Sequence, residues 1–491
     1  MQFLLIVMAV LSWDLEPSKP NRPDDAKPNI VIIFADDLGI GDVNCMNPSS
    51  RIPTPHMDQV ADEGMRFSDA HSPAAVCTPS RYALLTGRYP WRSNLKKWVL
   101  GGSSPALLEP DRATIASLLA DEGYRTACVG KWHLGLGHAD PVDWAKPLRP
   151  GPLQAGFHEF YGIPASLDMP PYVFIEDDHL EAPISRQMNK SSHRRQNGGG
   201  FWRAGKASTD FRFEEVLPRI AARSCDIISQ HARAQQEQPL FLYVPLTAPH
   251  TPWVPTEEFT GRSLAGYYGD FVAQVDDTVG QIIKALEETG ELDNTLLIVT
   301  SDNGCHWPDS DIDKWGHDGN AGWRGQKADI WEGGHRIPLL IRWPEVIDPD
   351  STCDTTICLT DLFATCVKAG GGQWGNDAGE DSVDLTPLLK QEPWTDPREG
   401  IIHQSGDGML AIRCGKWKLI EAEGSGGFTQ PKRVRNSSTG QLYDLKADPE
   451  ETVNLWLEHP EQVARLLSML NRLRDADRSV PMQTISLSES E

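Results

Sequence analysis

Long apolar runs that end abruptly in polar residues mark the strands of this chain. "KPNIVIIFADDLG" (28–39) is β-branched and apolar until two aspartates close it, the pattern of a strand buried on both faces of a parallel sheet. "LFLYVPLTAPH" (240–250) and "RIPLLIRWP" (336–344) are built the same way. Between such runs the apolar period lengthens to that of a helix. "TPHMDQVADEGMRF" (54–67) has helical spacing with a Gly near its end, and "TIASLLADEGYRTACVGKWHLG" (114–135) reads as helix, Gly stop, strand and polar loop. Residues 267–304 predict a long amphipathic helix, a turn and a strand ending in Ser-Asp-Asn-Gly.

Strands alternating with helices predict an α/β fold, a large, mostly parallel central sheet flanked by helices over 28–389. From 390 the pattern shortens. "MLAIRCGKWKLIEAE", "GQLYDLKADPEETVNL" and "PEQVARLLSMLNRLRDA" predict a smaller C-terminal α+β subdomain with an antiparallel sheet over 390–478, followed by a frayed tail at 479–491. Residues 176–212 predict an irregular rim excursion. In open parallel sheets ligands bind beyond the carboxyl ends of the strands. The unusual polar clusters fall at those ends: Asp36-Asp37, Lys131 with His133, His250, and Asp302-Asn303.

Composition narrows the partners. A net charge of −23 over 491 residues argues against nucleic acid and anionic membrane surfaces, though not against a small anion in a local basic pocket. The apolar segment at 1–13 is too short to span a bilayer and is similar to the core of a secretory signal. With the Pro-rich linker at 14–27 it predicts export, to a periplasmic, secreted or lysosome-like compartment. No other stretch reads as an integral membrane span. Nine cysteines include no zinc-like spacing; Cys353 and Cys358 are close enough for a local bridge, and the odd count leaves at least one thiol unpaired.

Asp36, Asp37, Asp302 and Asn303 bring four hard oxygen side chains from two strand ends. One such pair alone is a capped turn; two together suit a divalent cation, Ca²⁺ or Mg²⁺ rather than zinc, because three buried carboxylates would otherwise repel one another. Arg81, Lys131 and Lys327, with His133 and His250, form a basic set. Arg81 follows Cys77 by four residues, so both share one face of a helix predicted to start at Thr78-Pro79. The end of that helix favours an anion.

"CTPSRYALLTGR" (77–88) resembles the signature of type I, formylglycine-dependent sulfatases in the alkaline-phosphatase-like superfamily. "NIVIIFADDLG", "GKWHLG", "APH", "SDNG", "GQKADIWEGGHRIPLLIRWP" and "LYDLKADPEETVNL" follow in the family's order, so the resemblance spans 28–475. It implies that a formylglycine-generating enzyme, a transient partner, oxidises Cys77 to Cα-formylglycine. One hydroxyl of the hydrated aldehyde would attack sulfur, and the other would then expel sulfate. It further implies Asp36, Asp37, Asp302, Asn303 and the modified Cys77 as ligands of Ca²⁺, with Mg²⁺ the lesser choice. Arg81 would orient the hydrate, Lys131 and Lys327 would hold the sulfate, His133 would act as base and His250 would protonate the leaving alcohol.

The expected substrate is a small sulfated carbohydrate, of the galactose or N-acetylgalactosamine 6-sulfate type. Ser166, Asp168, His306, Trp315 and His317 are its candidate readers, with His179 a weaker one; Trp253 and Trp323 lie near the motif loops. Two same-chemistry alternatives are a broad arylsulfatase and a phosphate or phosphonate monoester hydrolase. A glycan-binding protein without catalysis would lack a metal or nucleophile residue. A cysteine hydrolase using Cys77 with His133 or His250 would leave the four oxygen ligands unexplained.

Overall fold

The structure is a computed structural model that describes residues 27–196, 199–234, 238–434 and 439–482. The signal and linker expectations at 1–26, and most of the expected tail, lie outside the described residues. A ten-stranded sheet forms the centre, and its five middle strands are parallel: Thr295–Ser301, Asn29–Asp36, Leu240–Pro249, Arg125–Lys131 and Glu159–Ile163. Antiparallel neighbours extend both sides, Leu339–Arg342 beyond Thr295–Ser301 and Ile175–Glu176 beyond Glu159–Ile163.

Strand Asn29–Asp36 shows why the runs are continuously apolar. Val31, Ile33 and Ala35 enter one core layer, while Ile30, Ile32 and Phe34 enter the other. Side chains alternate across a strand, so a sheet covered on both faces needs apolar residues at every position. Helices Val216–Arg233 and Gly266–Glu288 cover the first face. Helices Cys77–Thr86, Ile115–Asp121 and Asp361–Ala369 cover the second.

A four-stranded antiparallel sheet, Ile401–Gln404, Leu410–Cys414, Trp417–Ile420 and Gln441–Asp444, packs with helix Pro460–Asp475 into a third apolar cluster. The α/β fold with a C-terminal antiparallel sheet therefore agrees with the sequence. Among the described residues no helix is long and apolar enough to cross a membrane.

Two expectations are corrected. The excursion at 176–212 is not irregular: Ile184–Met188 pairs antiparallel with Gly205–Ser208, and Ser191–Gln196 with Gly199–Trp202. The ribbon escapes a sequence reading because its strands are short and mostly polar, with few positions such as Ala207 and Ser208 buried. The local bridge also does not form. All nine cysteines are free; Cys353 and Cys358 lie in separate strands, which pair with Met65–Phe67 and Ala70–His71.

Candidate active site

Strands Asn29–Asp36 and Thr295–Ser301 run side by side in register from Asn29 opposite Thr295 to Ala35 opposite Ser301, so their polar ends arrive together. Just past the first, Asp37 takes a φ of 68°, a left-handed turn that an aspartate tolerates better than most residues. Its N–H donates to Asp302 Oδ1 at 3.1 Å, and the next N–H, of Leu38, donates to Ser301 Oγ at 3.0 Å. Asn303 Nδ2 donates to Asp37 Oδ1 at 2.8 Å. The two pairs read from sequence therefore form one buried cluster.

Helix Cys77–Thr86 points its N-terminus at that cluster. It starts at Cys77, one residue before the predicted Thr78, and Gly87 ends it at a φ of 63°. A Cβ on Gly87 would come within 2.7 Å of the Phe363 ring, so both backbone angle and space require glycine there. Cys77 Sγ lies 3.4 Å from Asp36 Oδ1 and 3.5 Å from Lys327 Nζ. One turn on, Arg81 Nη2 donates to Asp302 Oδ2 at 2.8 Å. Lys131, at its own strand end, donates to Asp36 Oδ2 at 2.7 Å, and Lys327 donates to Asp37 Oδ2 at 2.8 Å.

Three carboxylates thus face three fixed cations in a buried site. Burial alone would raise the Asp36 carboxyl, but Lys131, His250, Arg81 and Lys327 together hold it well below the usual range. Burial and the neighbouring Asp36 push Asp302 up to about 6, against the pull of Arg81 and Lys131. Burial likewise pushes the Cys77 thiol far up, and Lys131 and Lys327 only partly oppose it. A thiol held protonated is a poor nucleophile, which counts against the cysteine-hydrolase reading.

The donor set fits a hard cation. Asn303 Oδ1 is a buried amide oxygen with no hydrogen-bond partner, beside three carboxylates. Asp36, Asp37, Cys77 and His250 each bring a ligand-type atom within 4.8 Å of the others. Oxygen-rich donors of this kind suit a divalent ion such as Ca²⁺ or Mg²⁺. With a doubly charged ion added, the balanced cluster would carry a surplus of two positive charges and favour an anion.

Burial and then Lys131 lower His133 well below its usual value; burial and then Lys327 lower His250. His133 Nε2 is 2.8 Å from the Leu100 carbonyl oxygen and its Nδ1 has no partner. With Nε2–H donating, Nδ1 carries a free lone pair. His250 Nδ1 lies 2.5 Å from the Thr251 carbonyl oxygen, and its Nε2 lies 3.8 Å from Asp37 Oδ2.

Cys77, Lys327 and His250 line a cavity of about 310 Å³ together with Ser166 and Asp168. Sequence reasoning missed eight further lining residues, among them Trp98, Phe201, Arg203, Thr251 and Phe428. Phe201 and Arg203 stand on the ribbon, and Arg203 pairs with Asp168 Oδ2. Thr251 alone carried a signal, since it directly follows His250. Ser166 Oγ, Asp168 Oδ1 and Thr251 Oγ1 are buried without partners.

Other expected readers fall elsewhere. His306 packs at a tilt against Phe428, with ring centroids 5.0 Å apart, beside the cavity that Phe428 lines. His317 is a correction: it is buried, its Nε2 is 2.8 Å from Asp42 Oδ1, and its Nδ1 accepts from the Arg51 N–H. Trp315 is another, lining a separate cavity of about 230 Å³ with Trp253 and Tyr268. His179 is largely exposed beside Asp178, and the Trp323 ring stacks under the Arg336 guanidinium. Residues 315–320 lie against the Asp42 turn, which takes the Trp315 and His317 rings from the cavity.

The family model described as Sulfatase matches residues 28–372. An N-acetylgalactosamine-6-O-sulfatase of Bacteroides thetaiotaomicron is 34% identical, covering 93% of this chain and 95% of its own length. Human arylsulfatase A is 34% identical, covering 87% of this chain and 83% of its own. A solved structure from the glycosaminoglycan metabolism of Bacteroides thetaiotaomicron superimposes with a TM-score of 0.82 at 32% identity, covering 92% of this chain and all of that one. With these motifs, this fold and this similarity, the chain belongs to the sulfatase family of sulfuric ester hydrolases.

Proposed function

We propose that this sulfatase acts on a sulfated carbohydrate, of the N-acetylgalactosamine or galactose 6-sulfate type. The supporting observation is the set of three unpartnered, buried polar atoms, Ser166 Oγ, Asp168 Oδ1 and Thr251 Oγ1, in the cavity that also holds Cys77. Buried polar groups are costly when unpaired, and a polyhydroxylated ligand would satisfy all three at once. A plain aryl ring would satisfy none. The 34% identical relative from Bacteroides thetaiotaomicron carries an N-acetylgalactosamine-6-sulfatase name, which agrees in substrate class.

In this reading Asp36, Asp37, Asp302 and Asn303 hold Ca²⁺, with Mg²⁺ the second choice, and Cys77 is converted to formylglycine by a separate enzyme before the protein is exported. The ion and the modified side chain supply Lewis acidity and the oxygen nucleophile. Lys131 and Lys327 bind the sulfate oxygens and stabilise charge that grows in the transition state. Arg81 keeps the helix N-terminus and the Asp302 carboxylate in one orientation. His250, with Nδ1–H donating to the Thr251 carbonyl, takes up a proton at Nε2 to become imidazolium and passes that proton to the departing sugar oxygen. His133, with Nε2 tied to Leu100, receives a proton at Nδ1. Asp168, fixed by Arg203, selects the sugar hydroxyl it faces.

Two measurements test the proposal. Mass spectrometry of the Cys77 peptide, in protein made alongside the converting enzyme, should show loss of the thiol; an intact, alkylatable thiol in active protein overturns the formylglycine assignment. Turnover of defined sulfated monosaccharides should exceed that of an aryl sulfate and of matched phosphate esters. Faster turnover of the aryl ester than of every sugar overturns the carbohydrate assignment.

A further inference from the structure

The cavity is graded from closed to open. Cys77, Ser166, Asp168, His250 and Thr251 are all less than one-tenth exposed, whereas Trp98 is 37% and Phe428 36% exposed. A ligand with its sulfate at Cys77 and its hydroxyls at Ser166 and Asp168 would leave past the exposed surface that these two rings present together. The rings are stacked, with centroids 5.9 Å apart and planes inclined by 26°.

Both are held in place rather than left to move. Trp98 has a φ of 55°, a left-handed conformation that is costly for a bulky residue and persists only where its surroundings enforce it. Its N–H donates to the Gly406 carbonyl at 2.7 Å. Its ring covers Gly406 so closely that a Cβ there would lie 2.8 Å from Trp98 Cζ3. Two residues on, the Leu100 N–H donates to Thr78 Oγ1 at 3.2 Å and the Leu100 carbonyl meets His133. On the other side, the Phe428 N–H donates at 2.7 Å to Asp329 Oδ1, a carboxylate two residues beyond Lys327. Each ring is thereby tethered to the segment that carries a reacting-site lysine, histidine or cysteine. Preorganised aromatic faces are a means of binding flat, partly apolar ligands at low ordering cost.

We propose that Trp98 and Phe428 form an outer subsite that stacks against the sugar attached to the sulfated residue, so that the enzyme selects a sulfated oligosaccharide end over a free monosaccharide. This rests on the carbohydrate reading above. The subsite is a specificity determinant: it makes no contact with the sulfate and acts on binding.

The test compares N-acetylgalactosamine 6-sulfate with the disaccharide in which a second sugar is joined to its anomeric carbon. Wild-type protein should prefer the disaccharide by about tenfold in kcat/KM, mostly through KM. Trp98→Ala and, separately, Phe428→Ala should lower kcat/KM for the disaccharide about tenfold more than for the monosaccharide. Trp98→Phe, which keeps a ring, should retain part of the preference and guards against misfolding of the alanine variant. Absence of a wild-type preference, or equal losses on both substrates, overturns the outer subsite while leaving the carbohydrate reading standing. Turnover of an aryl sulfate with neither sugar cleaved overturns that reading, and the subsite with it.

Discussion

Arg81 and Asp302, separated by most of the catalytic domain in sequence, form a fully buried ion pair with Nη2 and Oδ2 2.8 Å apart. The pair ties helix Cys77–Thr86 to the end of strand Thr295–Ser301. Arg81→Ala should leave Asp302 without its cation and destabilise the fold by about 3–5 kcal/mol, the cost of stranding one partner of a buried pair. A denaturant titration measures it. Arg81→Lys, which keeps the charge but loses the planar fork, should recover part of that loss.

Asp302→Ala should remove a ligand and the repulsion it shares with Asp36. Activity should fall to background, and calorimetric titration should show much weaker Ca²⁺ binding. Full turnover by wild-type protein after exhaustive chelation would remove the ion from the reaction.

His250→Ala should separate substrates by leaving group. A sugar alcohol needs its proton delivered and should slow by about 10²–10³-fold. A phenolate leaves without help and should lose roughly tenfold less. Equal losses on a sugar sulfate and a nitrophenyl sulfate would take the acid role from His250.

Glu451, buried where the C-terminal sheet meets the catalytic domain, is pushed up to about 7 by burial and by Glu332, against the pull of Lys418. A carboxyl raised in the fold binds its proton more tightly there than in the unfolded chain. Stability is therefore full below the ordinary value of about 4.3 and declines as pH rises toward about 7. Glu451→Gln cannot ionise, so its melting temperature relative to wild type should rise between pH 5 and pH 8. A difference that stays constant over that range would assign Glu451 no part in the pH response.

The sequence exposed the parts of the site that sit at strand ends. Asp36, Lys131, His250 and Asp302 each interrupt an apolar run, and the parallel sheet brings such ends together, so they could be read before any coordinates. Arg81 was legible through its helical spacing from Cys77. Trp98, Phe201, Arg203 and Phe428 were not, because loops and a polar ribbon carry no periodic signal and their approach to Cys77 depends on tertiary packing alone. His317 shows the converse. Its nearness in sequence to Asp302 suggested the cavity, but its partner is Asp42, on the far side of a turn.

The burial of Cys77 also dictates an order of events. The residue is 2% exposed and lies 3.5 Å from Lys327, which emerges from the ribosome long after it. Any enzyme that rewrites this side chain must work while the chain is still open, in a race that folding ends. Variants that speed closure of the Asn29–Asp36 and Thr295–Ser301 pair would then yield more protein with an untouched thiol, well folded and inert.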